Sequence, residues 1–200
     1  MGDKQVFQPL TREDKITVVL YRIGIVLSSI ILSCLAFLLT VSSNPGSSPV
    51  SPAGDILIYG LYASVGMSVF FIHLYVGKIK GFLKNLYFIS LGCLVLLLFI
   101  GKGSLPGALV REQYSLLLLL PLSGCLGFVT AKEAFCFRLF EGYFLAMLMP
   151  IYLLLVSSSI LMYAGASYGL VLIAVMLVIF TLRKVSMPIA YDIGDKSAYH

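Results

Sequence analysis

Five long stretches of this chain contain no Asp, Glu, Lys or Arg: residues 23–54, 56–77, 85–101, 113–131 and 142–182. No other feature limits the fold as severely. Crossing the roughly 30 Å hydrocarbon layer of a bilayer takes about 20 apolar residues in a helix, which satisfies its own backbone hydrogen bonds there. The second and fourth stretches have the length of one crossing each. The third is slightly short, and Lys84 extends it by snorkelling its ammonium to the interface, giving 82–101. The first holds a crossing at 16–41, with Arg22 near the interface, followed by Ser42-Ser43-Asn44-Pro45-Gly46-Ser47-Ser48-Pro49, a composition that defeats both helix and strand. The last stretch would be about 60 Å long as one helix at ~1.5 Å per residue, twice the hydrocarbon thickness. It must turn, and Tyr163-Ala164-Gly165-Ala166-Ser167-Tyr168-Gly169 is the expected hairpin. The predicted fold class is an all-α membrane protein, a bundle of six transmembrane helices at about 16–41, 55–77, 82–101, 112–131, 143–163 and 167–183. A tail of residues 1–15 precedes it and a tail of 184–200 follows.

Charge placement tests that count independently. With the N-terminus in the cytoplasm, the inner side collects Lys4, Arg12, Lys15, Arg22, Lys78, Lys80, Lys84, Lys132, Arg138, Arg183, Lys184 and Lys196, and the outer side only Lys102 and Arg111. Twelve against two is the bias expected when both termini are cytoplasmic. Hydrophobic residues make up 60 % of the chain and charged residues 12 %, more apolar surface than a soluble domain of this size can hide. The net charge of +5 is dispersed between apolar runs rather than pooled, so nucleic acid is not an expected partner; the bilayer is. The first span is too long for a cleaved signal peptide and has Glu13 and Asp14 in its flank. Thr11 and Asp14 are spaced as a capping pair that opens it.

The densest chemistry lies in Lys132-Glu133-Ala134-Phe135-Cys136-Phe137-Arg138-Leu139-Phe140-Glu141, the expected cytoplasmic connector between the fourth and fifth spans. Glu133 and Cys136 are three residues apart and share a helix face, and Glu141 follows two turns beyond Glu133. Such groups suit metal ligation or proton relay. The plainer reading is an interfacial connector, its phenylalanines in the acyl boundary, its cations on headgroups and Arg138 paired with Glu141. His73, near the inner end of the second span, completes the candidate relay or ligand set of His73, Glu133, Cys136 and Glu141. A haem held by two histidines of this chain is excluded, because His200 is the last residue. Single ligation of haem or pigment through His73, and its plainer alternative of a hydrogen-bonded histidine between helices, both stay open. Pro121 and Pro150 are candidate kinks in the fourth and fifth spans.

Cys34, Cys93, Cys125 and Cys136 lack metal-site spacing, and no disulfide and no metal are expected. There is no HExxH, GxSxG or phosphate-binding glycine loop, and apart from Asp55, Lys84 and Glu112 at their interfacial ends the expected spans contain no Asp, Glu or Lys. These absences point away from an enzyme and from an ion-coupled transporter. They name no cofactor.

The segment KEAFCFRLFEG, Lys132 to Gly142, with Pro150 in the helix after it, resembles an uncharacterised family, a domain of unknown function, of mainly cyanobacterial multi-pass integral membrane proteins. The chain departs from it at Ser157-Ser158-Ser159-Ile160-Leu161-Met162, where a histidine-bearing stretch is expected. The resemblance implies a plasma or thylakoid membrane and carries over no catalytic residue. Three functions remain on the sequence: an accessory or assembly partner of a membrane complex; a small transporter or channel for a neutral or apolar solute; and a pigment- or haem-binding protein using one histidine.

Overall fold

The computed structural model describes residues 11–42, 52–74, 76–161 and 163–193. The expected loop at 43–49 and the tail beyond 193 lie outside them. The described residues form helices α1 (Arg12–Ser42), α2 (Pro52–Phe71), α3 (Gly77–Ile100), α4 (Leu105–Arg111), α5 (Leu120–Phe137), α6 (Phe140–Ser157), α7 (Tyr163–Val185) and α8 (Ala190–Ile193), with a 3₁₀ segment at Gln113–Leu119 leading into α5. Six of these units are long and apolar enough to cross a membrane. The bundle is apolar outside as well as inside: Phe37, Phe82, Phe99, Phe144 and Met147 are all more than 60 % exposed. That is the pattern of a protein whose solvent is lipid.

Several boundaries move from their expected places, each for a local reason. Thr11 and Asp14 do form the capping pair, the Thr11 N–H donating to Asp14 Oδ2 at 2.9 Å and the Asp14 N–H to Thr11 Oγ1 at 3.2 Å. The second span ends at Phe71 rather than 77, and the third begins at Gly77 rather than 82. His73 therefore sits in a short connector, not in a helix. The turn between α6 and α7 is not at Tyr163–Gly169, which is helical, but at the serine run, where Ser159 takes φ 59°. There the Ser158 N–H bonds back to Leu154 and the Ser159 N–H to Val156, the C-terminal closure that a left-handed residue permits. Pro121 lies inside the fourth span, in the first turn of α5, where the preceding 3₁₀ segment gives way to α-helix. Pro150 is inside α6.

The helices approach closely where glycine or serine faces a neighbour. A side chain at Gly24 would strike Ser64 and Ser68 of α2, and one at Gly142 would strike the Thr130 carbonyl of α5. Ser28 and Ser64 hydrogen-bond across the α1–α2 seam at 2.8 Å. Small residues and such bonds, rather than apolar burial, drive helix association in lipid. α3 packs least: Phe88, Gly92, Val95 and Phe99 form an uncovered stripe on it.

Candidate functional site

At the end of the bundle that carries both described termini, α5 continues through the expected connector to Phe137 and α7 reaches Val185. The helix extensions draw Lys132, Glu133 and Lys184 into the bundle, so the spans are not free of ionisable groups as the sequence suggested. Glu133 is fully buried. Its Oε1 accepts from Tyr21 of α1 at 2.7 Å and from Lys132 at 2.7 Å, and its Oε2 pairs with Lys184 of α7. Lys184, also fully buried, pairs in addition with Asp192 of α8 and lies 3.8 Å from the centroid of the Phe137 ring. Asp192 in turn accepts from Arg22 Nε at 2.7 Å, while the Arg22 guanidinium donates to the carbonyls of Val185, Met187 and Pro188.

Five ionised groups from α1, α5, α7 and α8 thus form one network that binds residues 185–192 down as a strap across this end. Charges taken out of water persist only when paired and hydrogen-bonded; each of these is paired and makes at least one hydrogen bond, while Glu133 Oε2 has only its ion pair with Lys184. The C-terminal stub is not a free tail up to Ile193, which is itself buried.

The four sequence candidates separate. Glu133 is the centre of the network, whereas Cys136, one turn on, is exposed. Glu141 pairs with Arg183 of α7 at 2.6 Å rather than with Arg138, which takes a left-handed φ of 55° as it ends α5. His73 Nε2 lies 3.2 Å from Thr17 Oγ1, and its Nδ1 is buried without a hydrogen-bond partner. Burial, and then Lys132 and Lys80, hold the His73 pKa below its usual value, opposed by Asp14 and Asp192. Among the described residues no three His, Cys, Asp or Glu side chains converge as a metal site. Of the connector phenylalanines, Phe135 and Phe140 face outward and Phe137 turns in beneath Lys184.

Sequence reasoning missed Tyr21, Arg22, Lys184 and Asp192 as members of a site. Their partners lie 112 and 170 residues away for Tyr21 and Arg22, and each reads locally as an ordinary interfacial group.

The opposite, distal end holds the second feature, a partly open cavity of about 560 Å³. It runs between α1, α2, α5, α6 and α7 and beneath α4 and the 3₁₀ segment. Its walls carry no charged side chain; the hydroxyls present, on Ser123 and Tyr152, donate to the Leu120 and Ala166 carbonyls. α4 is tied over α2 by the Leu105 N–H donating to Asp55 at 2.7 Å. Its apolar walls offer water no partners. A site of this kind takes an apolar occupant.

Fold and sites together define a multi-pass integral membrane protein with an ionic lock at one end and an apolar cavity at the other. The family model described as uncharacterized integral membrane protein (DUF2301) matches residues 67–200, two thirds of the chain, and the chain belongs to that family. No curated protein and no solved structure matches it. The matched part contains Glu133, Lys184 and Asp192 but not Tyr21 or Arg22, so the lock joins α1 to the family region.

Proposed function

We propose that this is a non-enzymatic membrane protein that receives an uncharged, apolar molecule in the distal cavity while the ionic lock holds the other end shut. One observation carries this reading: the cavity is large enough for a small organic ligand and has no charged group in its lining. Below it, Val69, Ile72, Val129, Leu145 and Leu177 are fully buried, so the space ends inside the bundle. The strong excess of Lys and Arg at the locked end supports a cytoplasmic position for it and for both termini. The family resemblance supports a cyanobacterial plasma or thylakoid membrane.

Thermal unfolding of the purified protein with a panel of apolar compounds tests the reading. A ligand at 100 times its Kd stabilises by about 2.7 kcal/mol, so uncharged compounds should raise the midpoint and charged analogues should not. Replacing both Leu126 and Ile173 with Trp, which narrows the cavity from two sides, should reduce the rise. Equal stabilisation by charged analogues, or an undiminished rise in the double variant, would count against it.

A second reading is favoured by the uncovered α3 stripe at Phe88, Gly92, Val95 and Phe99: an accessory or assembly partner of a larger membrane complex. Gly92 there meets nothing within 4 Å, leaving room for a close helix–helix approach. Purification in mild detergent decides it, since a lone monomer without a companion argues for the cavity alone.

A further inference from the structure

Resting on the cavity reading, we infer that the occupant is a single hydrocarbon chain of a membrane lipid, inserted tail first with its headgroup left at the distal rim. Four observations lead there. The first is depth. On α2 the lining runs from Gly54, in the first turn, to Val65; eleven residues at ~1.5 Å each make about 16 Å. Half of a hydrocarbon layer of roughly 30 Å is about 15 Å. The cavity is one leaflet deep.

The second is that it is a dead end. Leu126, Met149 and Ile173 belong to its lining, but Val129, Leu145 and Leu177, about one turn deeper on the same helices, are fully buried and do not. A solute crossing the membrane needs a continuation on the locked side, and the described side chains fill it. A chain that enters and leaves by the same end needs none.

The third is the distribution of polar groups. Both lining hydroxyls have spent their protons on backbone carbonyls, so the interior offers no donor to a carboxylate, phosphate or carbonyl. Burial of such a headgroup inside would leave it unpaired. At the rim, near Gly54 and Pro106, the polar groups of the α2–α4 junction begin, with Asp55 bonded to the Leu105 N–H.

The fourth is supply. The six spans stand in a solvent of hydrocarbon chains. A partly open apolar space that gives water nothing to bond fills from that solvent.

The chain lacks tryptophan, which makes a direct test available. Leu153 lines the cavity on α6 and is buried, Phe88 faces lipid, and Phe180 is fully buried away from the cavity. Three single-tryptophan proteins, Leu153→Trp, Phe88→Trp and Phe180→Trp, are reconstituted in vesicles of phosphatidylcholine brominated along one acyl chain. Bromine quenches tryptophan on contact. Phe88→Trp should lose fluorescence, Phe180→Trp should keep it, and Leu153→Trp should lose it to the same degree as Phe88→Trp. Adding Ala166→Phe, which occupies the cavity from α7, should restore the Leu153→Trp signal. If Leu153→Trp does not yield a monodisperse protein, Val156→Trp, in the same lining, carries the test. A Leu153→Trp protein that ignores brominated lipid yet is quenched by bromobenzene overturns the lipid-chain inference and keeps the apolar-ligand reading. One quenched by neither overturns both.

Discussion

The ionic lock contains three cations, Arg22, Lys132 and Lys184, against two carboxylates, Glu133 and Asp192. That excess of one positive charge makes its response to mutation lopsided. Glu133→Gln leaves Lys132 and Lys184 facing an uncharged amide, with Lys184 retaining only Asp192. Breaking a buried pair from one side costs about 3–5 kcal/mol; because Lys184 keeps Asp192 and Lys132 keeps the face of the Tyr21 ring, 5.6 Å from its ammonium, the lower end, about 3 kcal/mol, is expected. At 2–4 °C per kcal/mol for a chain of this length, the midpoint should fall by roughly 6–12 °C. Lys184→Met removes the surplus charge instead. Glu133 keeps Lys132 and Tyr21, and Asp192 keeps Arg22. The methionine sulfur sits over the Phe137 ring that now carries the ammonium, a favourable contact. Removing one member of a buried pair is costly chiefly because it strands the other; here each carboxylate keeps a cation, so this variant should lose clearly less than Glu133→Gln. Buried Cys125 provides the assay. With exposed Cys34 and Cys136 and half-buried Cys93 changed to Ser, a thiol-reactive dye lights up as Cys125 is uncovered on heating. Arg183→Ala is the surface control: its pair with Glu141 is half exposed, and such pairs contribute about 0–1 kcal/mol. If Lys184→Met loses as much as Glu133→Gln, the charge balance of the lock does not govern its stability and the reasoning fails.

Acid should loosen the locked end through His73. Its folded pKa is lowered, so its contribution to stability is complete above the unfolded value of about 6.5 and is lost as pH falls through the folded value; His73→Gln should flatten that part of a midpoint-versus-pH curve, and an unchanged curve refutes it. Gly142→Leu should separate α5 from α6, since even a Cβ there meets the Thr130 carbonyl; a loss of about 1–3 kcal/mol is expected for overpacking, read as a lower midpoint in the same dye assay. Maleimide labelling of the folded protein in detergent should modify Cys136, at the end of α5, quickly and leave Cys125 unreacted, and mass spectrometry of the labelled peptides would show the opposite order if the packing of α5 were wrong.

Fold class was legible because lipid makes a simple demand. Long uncharged segments have one stable arrangement in a bilayer, and their number can be read off the chain. Boundaries were less legible where they turn on backbone detail. The glycines at 165 and 169 suggested a turn, yet Gly169 serves packing, its missing side chain making room for the Tyr152 ring. The turn fell on three serines whose hydroxyls and N–H groups cap α6. The site was legible only in part. Glu133 stood out by its setting among charges and phenylalanines, but nothing local marks Asp192 or Arg22 as its neighbours in one network. Charge counting treats interfacial cations as interchangeable; packing does not.

The two ends of the molecule solve one problem in opposite ways. In lipid, an apolar surface gains nothing by meeting another apolar surface, so the cavity end has no hydrophobic drive to collapse and can remain open to hydrocarbon chains. Charged groups at the bilayer edge face the reverse situation: exposed to lipid they are costly, and turned inward onto each other they are tolerated. Geometry decides which end closes. α1, α5, α7 and the strap are drawn together by paired charges that leave no alternative partner nearby. Around the distal cavity the bonds are between uncharged or singly charged partners, Tyr152 of α6 with the Ala166 carbonyl of α7 and Asp55 of α2 with the Leu105 N–H of α4. Charges paired at one end and uncharged walls at the other fit the proposal that the distal end admits something apolar while the bundle stays together.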